Sequence, residues 1–305
     1  MLKRYLLALT ILILLLWSGQ TLWKNFRRPL RPQAFKAERA YQDVVSLTHL
    51  GPRTPGSDAH RQAIEYIRNQ LQKANWEVLI QTATVTVSDE SGQTVQQIIR
   101  NIIARRSDVP PRILLGTHYD SRLMAERDPD PIKQTQPVPG ANDGASGVAV
   151  LLELARVLPA DTPPIWLVFF DAEDQGSIPG WQDWALGSRA FVEELAIKPD
   201  AVVVVDMVGD YNLKILPERQ SNKRLVSEIW SIAHRLGYQE YFLETAKYAI
   251  HNDHLPFLRA NLAAALIIDI EYRYWHTSYD TADKVSPQSL GIVGSTLQAW
   301  LEQQR

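Results

Sequence analysis

Four apolar runs in this chain each end in side chains that can bind a metal or carry a proton. His118 and Asp120 follow ILLGT (113–117), Asp171, Glu173 and Asp174 follow IWLVFF (165–170), and Asp206 follows AVVVV (201–205). Trp275, His276 and Asp280 follow LAAALIIDI (262–270). A further acid, Asp143, stands in GANDGASG, immediately before a helical pattern. The runs read as strands, and in such a sheet ligands bind outside the carboxyl ends of the strands. One rim therefore receives imidazoles and carboxylates from separate parts of the chain. So many acids on one rim repel one another unless a cation neutralises them. Imidazole and carboxylate donors without sulfur suit zinc. The sequence contains no cysteine, which excludes thiolate ligands, disulfides and a cysteine nucleophile.

Each of these residues also has a purely structural use. Asn142-Asp143-Gly144 is good turn chemistry. Glu173 beside Asp174 suits the first turn of a helix. Asp206 suits a strand end, His118 with Asp120 an exposed loop, and His276 alone a structural histidine. All of these uses would have to coincide on the same rim, and the metal reading is preferred for that reason. His49, His60 and His234 have no strand-end setting and read as structural or surface side chains. His251 and His254 flank Asp253 in IHNDHLPFL, which reads as a loop over the site.

The elements that must hold these residues alternate along the chain. Helical spacing of apolar residues marks 60–76, 147–158, 188–196, 225–237 and 286–304. Ser286 and Pro287 supply an N-cap and a first helical residue. Strands are expected over 78–87, 96–106, 113–117, 165–170, 201–205 and 262–270. Several are continuously apolar, as strands covered on both faces must be. The expected fold is α/β: an open three-layer sandwich with a central, mostly parallel or mixed sheet and helices on both faces.

Composition narrows the class. An apolar fraction of 45% with 22% charged residues excludes a disordered chain and a multi-span membrane protein. A net charge of −2 leaves no basic field for nucleic acid. The N-terminus is the exception to this ordinary profile. Tyr5 to Trp17 read YLLALTILILLLW, and the charge-free stretch continues to Trp23. As a helix it would cover roughly 28 Å, about a bilayer core. Residues 1–23 are therefore expected to be a membrane anchor or signal segment, with an uncleaved anchor preferred. Residues 24–35 read as a linker and 36–305 as one catalytic domain. The domain is expected to be membrane-anchored or exported, on the extracytoplasmic side. Basic residues flank both ends of the segment, so charge gives no orientation.

THYDS, GANDGASG, FDAED, VVDMVGD, NDHLPFL and WHTSYDT, in that order, resemble the superfamily of zinc aminopeptidases and glutaminyl cyclases. The likeness runs from about His49 to the C-terminus. DAEDQGSIPGWQDWALGSR (171–189), with Trp181 and Trp184, resembles the bacterial, animal-like glutaminyl-peptide cyclotransferases most closely. In the aminopeptidases, the resemblance implies zinc ligands at His118, Asp143, Asp174, Asp206 and His276, with Asp143 bridging two ions and Glu173 as general base. In the cyclotransferases it implies one zinc on Asp143, Asp174 and His276. Glu173 then shuttles the proton, Asp206 and Asp253 hydrogen-bond around substrate and base, and Trp275 lines the pocket, with Trp181 a second wall.

The implied activity is zinc-dependent conversion of an N-terminal glutamine, on a peptide or protein, to pyroglutamate and ammonia. The rival is removal of N-terminal residues by a zinc aminopeptidase. A third possibility, a tethered binding module that kept the scaffold, would have no use for Glu173. One departure stands out. The paired-acid motif usually reads Glu-Glu and here reads Glu-Asp, so the ligand carboxylate at Asp174 is one methylene shorter.

Overall fold

The computed structural model describes residues 34–88 and 94–304. The anchor or signal segment expected over 1–23 lies outside the described residues, as does nearly all of the linker expected over 24–35. Among the described residues no helix is long and apolar enough to cross a membrane.

The chain opens with helices α1 (Ala37–His49) and α2 (Asp58–Lys73), then a hairpin of β1 (Glu77–Ser88) and β2 (Thr94–Arg105). Strands and helices then alternate: β3 (Ile113–His118), α3 (Ala145–Val157), β4 (Ile165–Phe170), α4 (Leu186–Glu193) and β5 (Ala201–Asp206). Next come α5 (Lys223–Arg235), α6 (His254–Arg259), β6 (Ala264–Ile268) and α7 (Pro287–Gln303). The six strands lie in the order β1-β2-β4-β3-β5-β6. β4, β3, β5 and β6 are parallel. β2 runs antiparallel to β4, and β1 antiparallel to β2.

Alternation along the strands sorts their side chains onto two faces. Leu115, Leu167, Val203 and Ile267 join a core with α1, α2, α3, α5 and α7. Leu114, Val168, Val204 and Leu266 join another, closed by Phe191 of α4 and Phe257 of α6. Both faces are covered, so the structure is the expected three-layer α/β sandwich with a mixed sheet. Helix starts follow the cap residues: Ser57 accepts from His60 N (3.0 Å) and Ser286 from Ser289 N. Asn222 caps α5 through bonds of 3.1 and 3.2 Å to Arg224 N and Leu225 N.

Two glycines let α3 start against the end of β3. Gly144 has φ +93°, and a Cβ there would come within 2.5 Å of Asp120 O. A Cβ on Gly147 would meet Thr117 Oγ1 at 2.1 Å. Two elements differ from expectation. α1 has no counterpart among the expected helices, because its buried face (Ala40, Asp43, Val44, Leu47) includes an aspartate that breaks the apolar period. Asp43 is satisfied by Tyr66 Oη (2.7 Å) and Arg156 Nη2 (2.9 Å). The stretch after Asp253, expected as a loop, is the short helix α6, whose Pro256 lies in the first turn, where no intrahelical N–H is needed.

α6 is tied down by a buried pair. His254 Nε2 lies 3.0 Å from Glu218 Oε2. Glu218 also accepts from Ser221 N (2.8 Å), Ser221 Oγ (3.0 Å) and Ile250 N (3.2 Å). Burial opposes ionisation of Glu218, but His254 and the loop N–H groups outweigh it and hold the carboxyl down at about 2. A depressed folded pKa contributes stability that is present above the unfolded value of about 4.3 and lost as pH falls toward 2. Glu218→Gln should cost on the order of 1–2 kcal/mol at pH 7, allowing for solvent screening. It should also flatten the acid limb of a stability profile between about pH 4.5 and 2. Denaturant melts across that range check both effects. A variant with the same acid limb as wild type would contradict the assignment.

Candidate metal and proton-transfer site

The strand ends deliver the expected side chains to one place. His118 ends β3 and Asp206 ends β5. Glu173 and Asp174 follow β4, and the loop after β6 returns His276. All six of His118, Asp143, Glu173, Asp174, Asp206 and His276 are buried. Two triads have ligand atoms within 4.8 Å of one another: His118, Asp143 and Asp206, and Asp143, Asp174 and His276. Asp143 belongs to both. Its Oδ1 lies 3.2 Å from His118 Nε2 and its Oδ2 3.8 Å from His276 Nε2.

The two halves are built differently. In the second, His276 Nε2 lies 3.0 Å from Asp174 Oδ1, and its Nδ1 lies 2.7 Å from Glu126 Oε1. A carboxylate behind the imidazole fixes ring and tautomer, as in metal-binding histidines generally. Asp143 Oδ2 and Asp174 Oδ2 are buried with no hydrogen-bond partner. Buried polar atoms ordinarily have partners, so unpaired carboxylate oxygens around an imidazole suit a cation. In the first half, Asp206 is engaged on both oxygens, by His118 Nε2 (3.1 Å) and by Asn252 Nδ2 (2.8 Å). His118 Nδ1 lies 3.4 Å from Asp120 Oδ1, an ion-pair distance without a hydrogen bond.

Neighbouring acids hold the loops that carry the two triads. Asp120 accepts from Glu173 N (3.1 Å), Asp174 N (3.3 Å) and Gln175 Nε2 (2.9 Å). Asp280 accepts from Asn142 N (2.8 Å), Asp143 N (3.0 Å) and Tyr272 Oη (2.8 Å). Buried Arg122 donates to Asp174 O (3.0 Å) and Gly176 O (3.1 Å) and grips Glu126 (2.8 Å). Asp174, the shorter acid of the pair, is thus clamped at its backbone from both sides.

Asp253 is buried with neither carboxylate oxygen hydrogen-bonded. Burial, then the charges of Asp120 and Asp206, push it up to about 7. The partner of Asp206 is Asn252, the residue before it. Trp275 stacks obliquely on His276, with centroids 4.2 Å apart, and carries the Arg127 guanidinium 3.8 Å above its ring. Trp181 faces elsewhere: it packs with Ile178, Val87, Ile99 and Leu186 in a separate apolar cluster. The indole over the site is Trp184, parallel to His276 at 6.1 Å and 12°. A tight turn closes Trp181 onto Ile178, and Trp184 is followed by left-handed Ala185, so sequence parity does not say which indole faces inward. His60 is a buried structural partner of Asp171 (2.7 Å), and His234 bonds Phe242 O (2.9 Å).

Charge on the candidate ligands has a measurable consequence. Burial would lower His276, but Asp174, Glu126 and Asp143 outweigh it and hold it at about 9. His118 is likewise raised against burial by Asp206, Asp120 and Asp143. Burial and Asp143 raise Asp174 to about 6. A metal needs neutral imidazole and ionised carboxylate. Loading a divalent metal at pH 7 should therefore expel protons, and apparent affinity should climb with pH toward about 9. Calorimetry in two buffers of different ionisation heat counts the released protons. No release at pH 7 would contradict the ligand assignment.

The family model described as "Peptidase family M28" matches residues 101–301. Among solved structures, the Porphyromonas gingivalis glutaminyl cyclase is 32% identical, with a TM-score of 0.82 over 89% of this chain and 99% of that one. A Zn-dependent exopeptidase from Parabacteroides distasonis is also 32% identical, with a TM-score of 0.80 over 88% and 98%. A glutaminyl-peptide cyclotransferase of Drosophila melanogaster is 26% identical over 80% of this chain and 75% of its own length.

Proposed function

Because the chain belongs to peptidase family M28, we propose that it is a zinc-dependent glutaminyl-peptide cyclotransferase, tethered or exported through its N-terminal segment. The observation that carries this reading is the asymmetry of the two triads. Asp143, Asp174 and His276 have unpaired carboxylate oxygens and an oriented imidazole. His118 and Asp206 are tied into a protein hydrogen-bond network that includes Asn252. One metal ion beside a proton-carrying glutamate is what cyclisation needs.

Asp143, Asp174 and His276 would hold the zinc, which would supply Lewis-acid polarisation of the substrate's side-chain carbonyl. Glu173 carries the proton. Burial, with the charges of Asp253, Asp206 and Asp174 against that of His118, raises its carboxyl well above the ordinary range. A base and acid in turn works best with a pKa near the working pH. The α-amine of the N-terminal glutamine attacks its own side-chain amide carbon. The new C–N bond closes the ring, and the C–N bond to the amide nitrogen breaks. Glu173 takes the proton from the amine and returns it to the departing nitrogen, which leaves as ammonia. Amine and amide belong to one residue, so proximity contributes much of the acceleration. Trp275 and Trp184 flank His276 and wall the glutamine side chain.

A second reading, an aminopeptidase, is favoured by the other triad, whose ligand atoms also lie within 4.8 Å of one another. Glu173 would then take the proton of an attacking water. Incubating the zinc-loaded chain with Gln-peptides and with leucine amide separates the two readings. The cyclotransferase releases ammonia and pyroglutamyl peptide from the former. Hydrolysis of leucine amide without pyroglutamate from any Gln-peptide would overturn it.

A further inference from the structure

A cavity of about 230 Å³ adjoins the site, lined by Trp184, Ala185, Arg189, His251, Asn252 and Arg259. Three of these residues hold site residues directly. Asn252 bonds Asp206 (2.8 Å), Ala185 N bonds Glu173 O (3.0 Å), and Trp184 stacks on His276. The cavity is smaller than the roughly 300 Å³ at which drug-sized ligand pockets begin, so it suits a residue or two of a longer chain.

Its polar groups are of two kinds. Asn252 is buried, and its Oδ1 has no hydrogen-bond partner while its Nδ2 is committed to Asp206. Both amide atoms lie below the cavity surface, where the side chain holds Asp206. At the exposed end of the cavity stand two guanidinium groups. Arg189 pairs with Asp183, also a lining residue, at 3.1 Å. The Arg259 guanidinium, in the last turn of α6, has no ion-pair or hydrogen-bond partner among the described residues. With Asp183 set against Arg189, one positive charge is left over.

We infer that this cavity is a subsite for a carboxylate carried by the peptide substrate downstream of its N-terminal glutamine, received by Arg259 with Arg189 beside it. The inference rests on the cyclotransferase reading and adds a substrate class to it. The substrate's carboxylate reaches the guanidinium groups. That carboxylate is either an acidic side chain or the C-terminus of a short peptide.

The test uses the zinc-loaded full chain and a coupled ammonia assay on three peptides: Gln-Ala-Ala-amide, Gln-Ala-Glu-amide and Gln-Ala-Ala with a free C-terminus. A carboxylate-bearing peptide should show about fivefold higher kcat/KM than the neutral one, and the gain should shrink in about 0.5 M salt. Whether the glutamate or the free C-terminus gives the gain identifies the source. Arg259→Glu should shift the preference toward Gln-Ala-Lys-amide. Equal kcat/KM for all three peptides in wild type overturns the inference, and that series decides the matter even if a variant fails to fold. An acid preference that survives in Arg189→Gln/Arg259→Gln overturns it too. No ammonia from any Gln-peptide overturns the cyclotransferase reading itself.

Discussion

Glu173→Gln is expected to lower kcat for cyclisation of a Gln-peptide by about 10³-fold while the folded chain stays at least as stable as wild type. Proton transfer by a positioned acid–base group contributes about 10² to 10⁴ in rate, and no other group takes the proton from the amine in this scheme. The stability side follows from burial. Glu173 Oε1 has no hydrogen-bond partner, and the surroundings disfavour its charge. Glutamine keeps the volume and removes that charge, so the thermal midpoint should hold or rise. Steady-state kinetics and a thermal melt on one preparation measure both. Unchanged kcat would remove Glu173 from the mechanism; a lost midpoint would make it a structural residue.

The residues that bear on this prediction were legible in the sequence because strand ends are. A parallel strand buried on both faces is a continuous apolar run, and its last residue is where polarity returns. His118 and Asp206 are marked by that rule alone; on β4 it marks Asp171, which bonds His60 and Arg100 N, and Glu173 and Asp174 stand two and three residues further on. Asp143 is marked by turn chemistry before α3, and Gly144 and Gly147 are glycines for the close approach seen there. What was not legible depends on rotation rather than pattern. Whether Trp181 or Trp184 faces His276 is decided by the turn that closes on the Ile178–Trp181 bridge and by left-handed Ala185 after Trp184. Whether Asn252 or Asp253 bonds Asp206 is decided by how α6 begins, and that beginning is set by the distant pair of His254 and Glu218. Glu126 orients His276 across 150 positions of sequence, with no local signal at either end.

Asp143→Asn carries the second large effect. The variant should bind zinc about 100-fold more weakly or worse, since changing a residue that merely orients a ligand already costs about 10- to 100-fold. Asp143 presents one oxygen toward His118 and the other toward His276, so one substitution removes a charge from both triads. Wild type at a free metal concentration of about 100 Kd gains roughly 2.7 kcal/mol from binding to the folded state alone. A chelator should therefore lower the wild-type thermal midpoint and move that of Asp143→Asn far less. The metal-free variant should melt no lower than the metal-free wild type, because it relieves repulsion among Asp143, Asp174 and Asp280. The pKa values of Asp174 and Asp280 reflect that crowding: burial first, then Asp143, pushes them up to about 6 and about 7. A chelator shift of equal size in both proteins would contradict the assignment of Asp143 as a ligand.

Anomalous diffraction at the zinc edge, from crystals of the zinc-loaded chain, tests the central claim most directly. One strong peak is expected, about 2.0–2.2 Å from oxygen or nitrogen atoms of Asp143, Asp174 and His276, with Glu173 beside it and unbound. A peak elsewhere, or a second peak of equal height between His118 and Asp206, would contradict it.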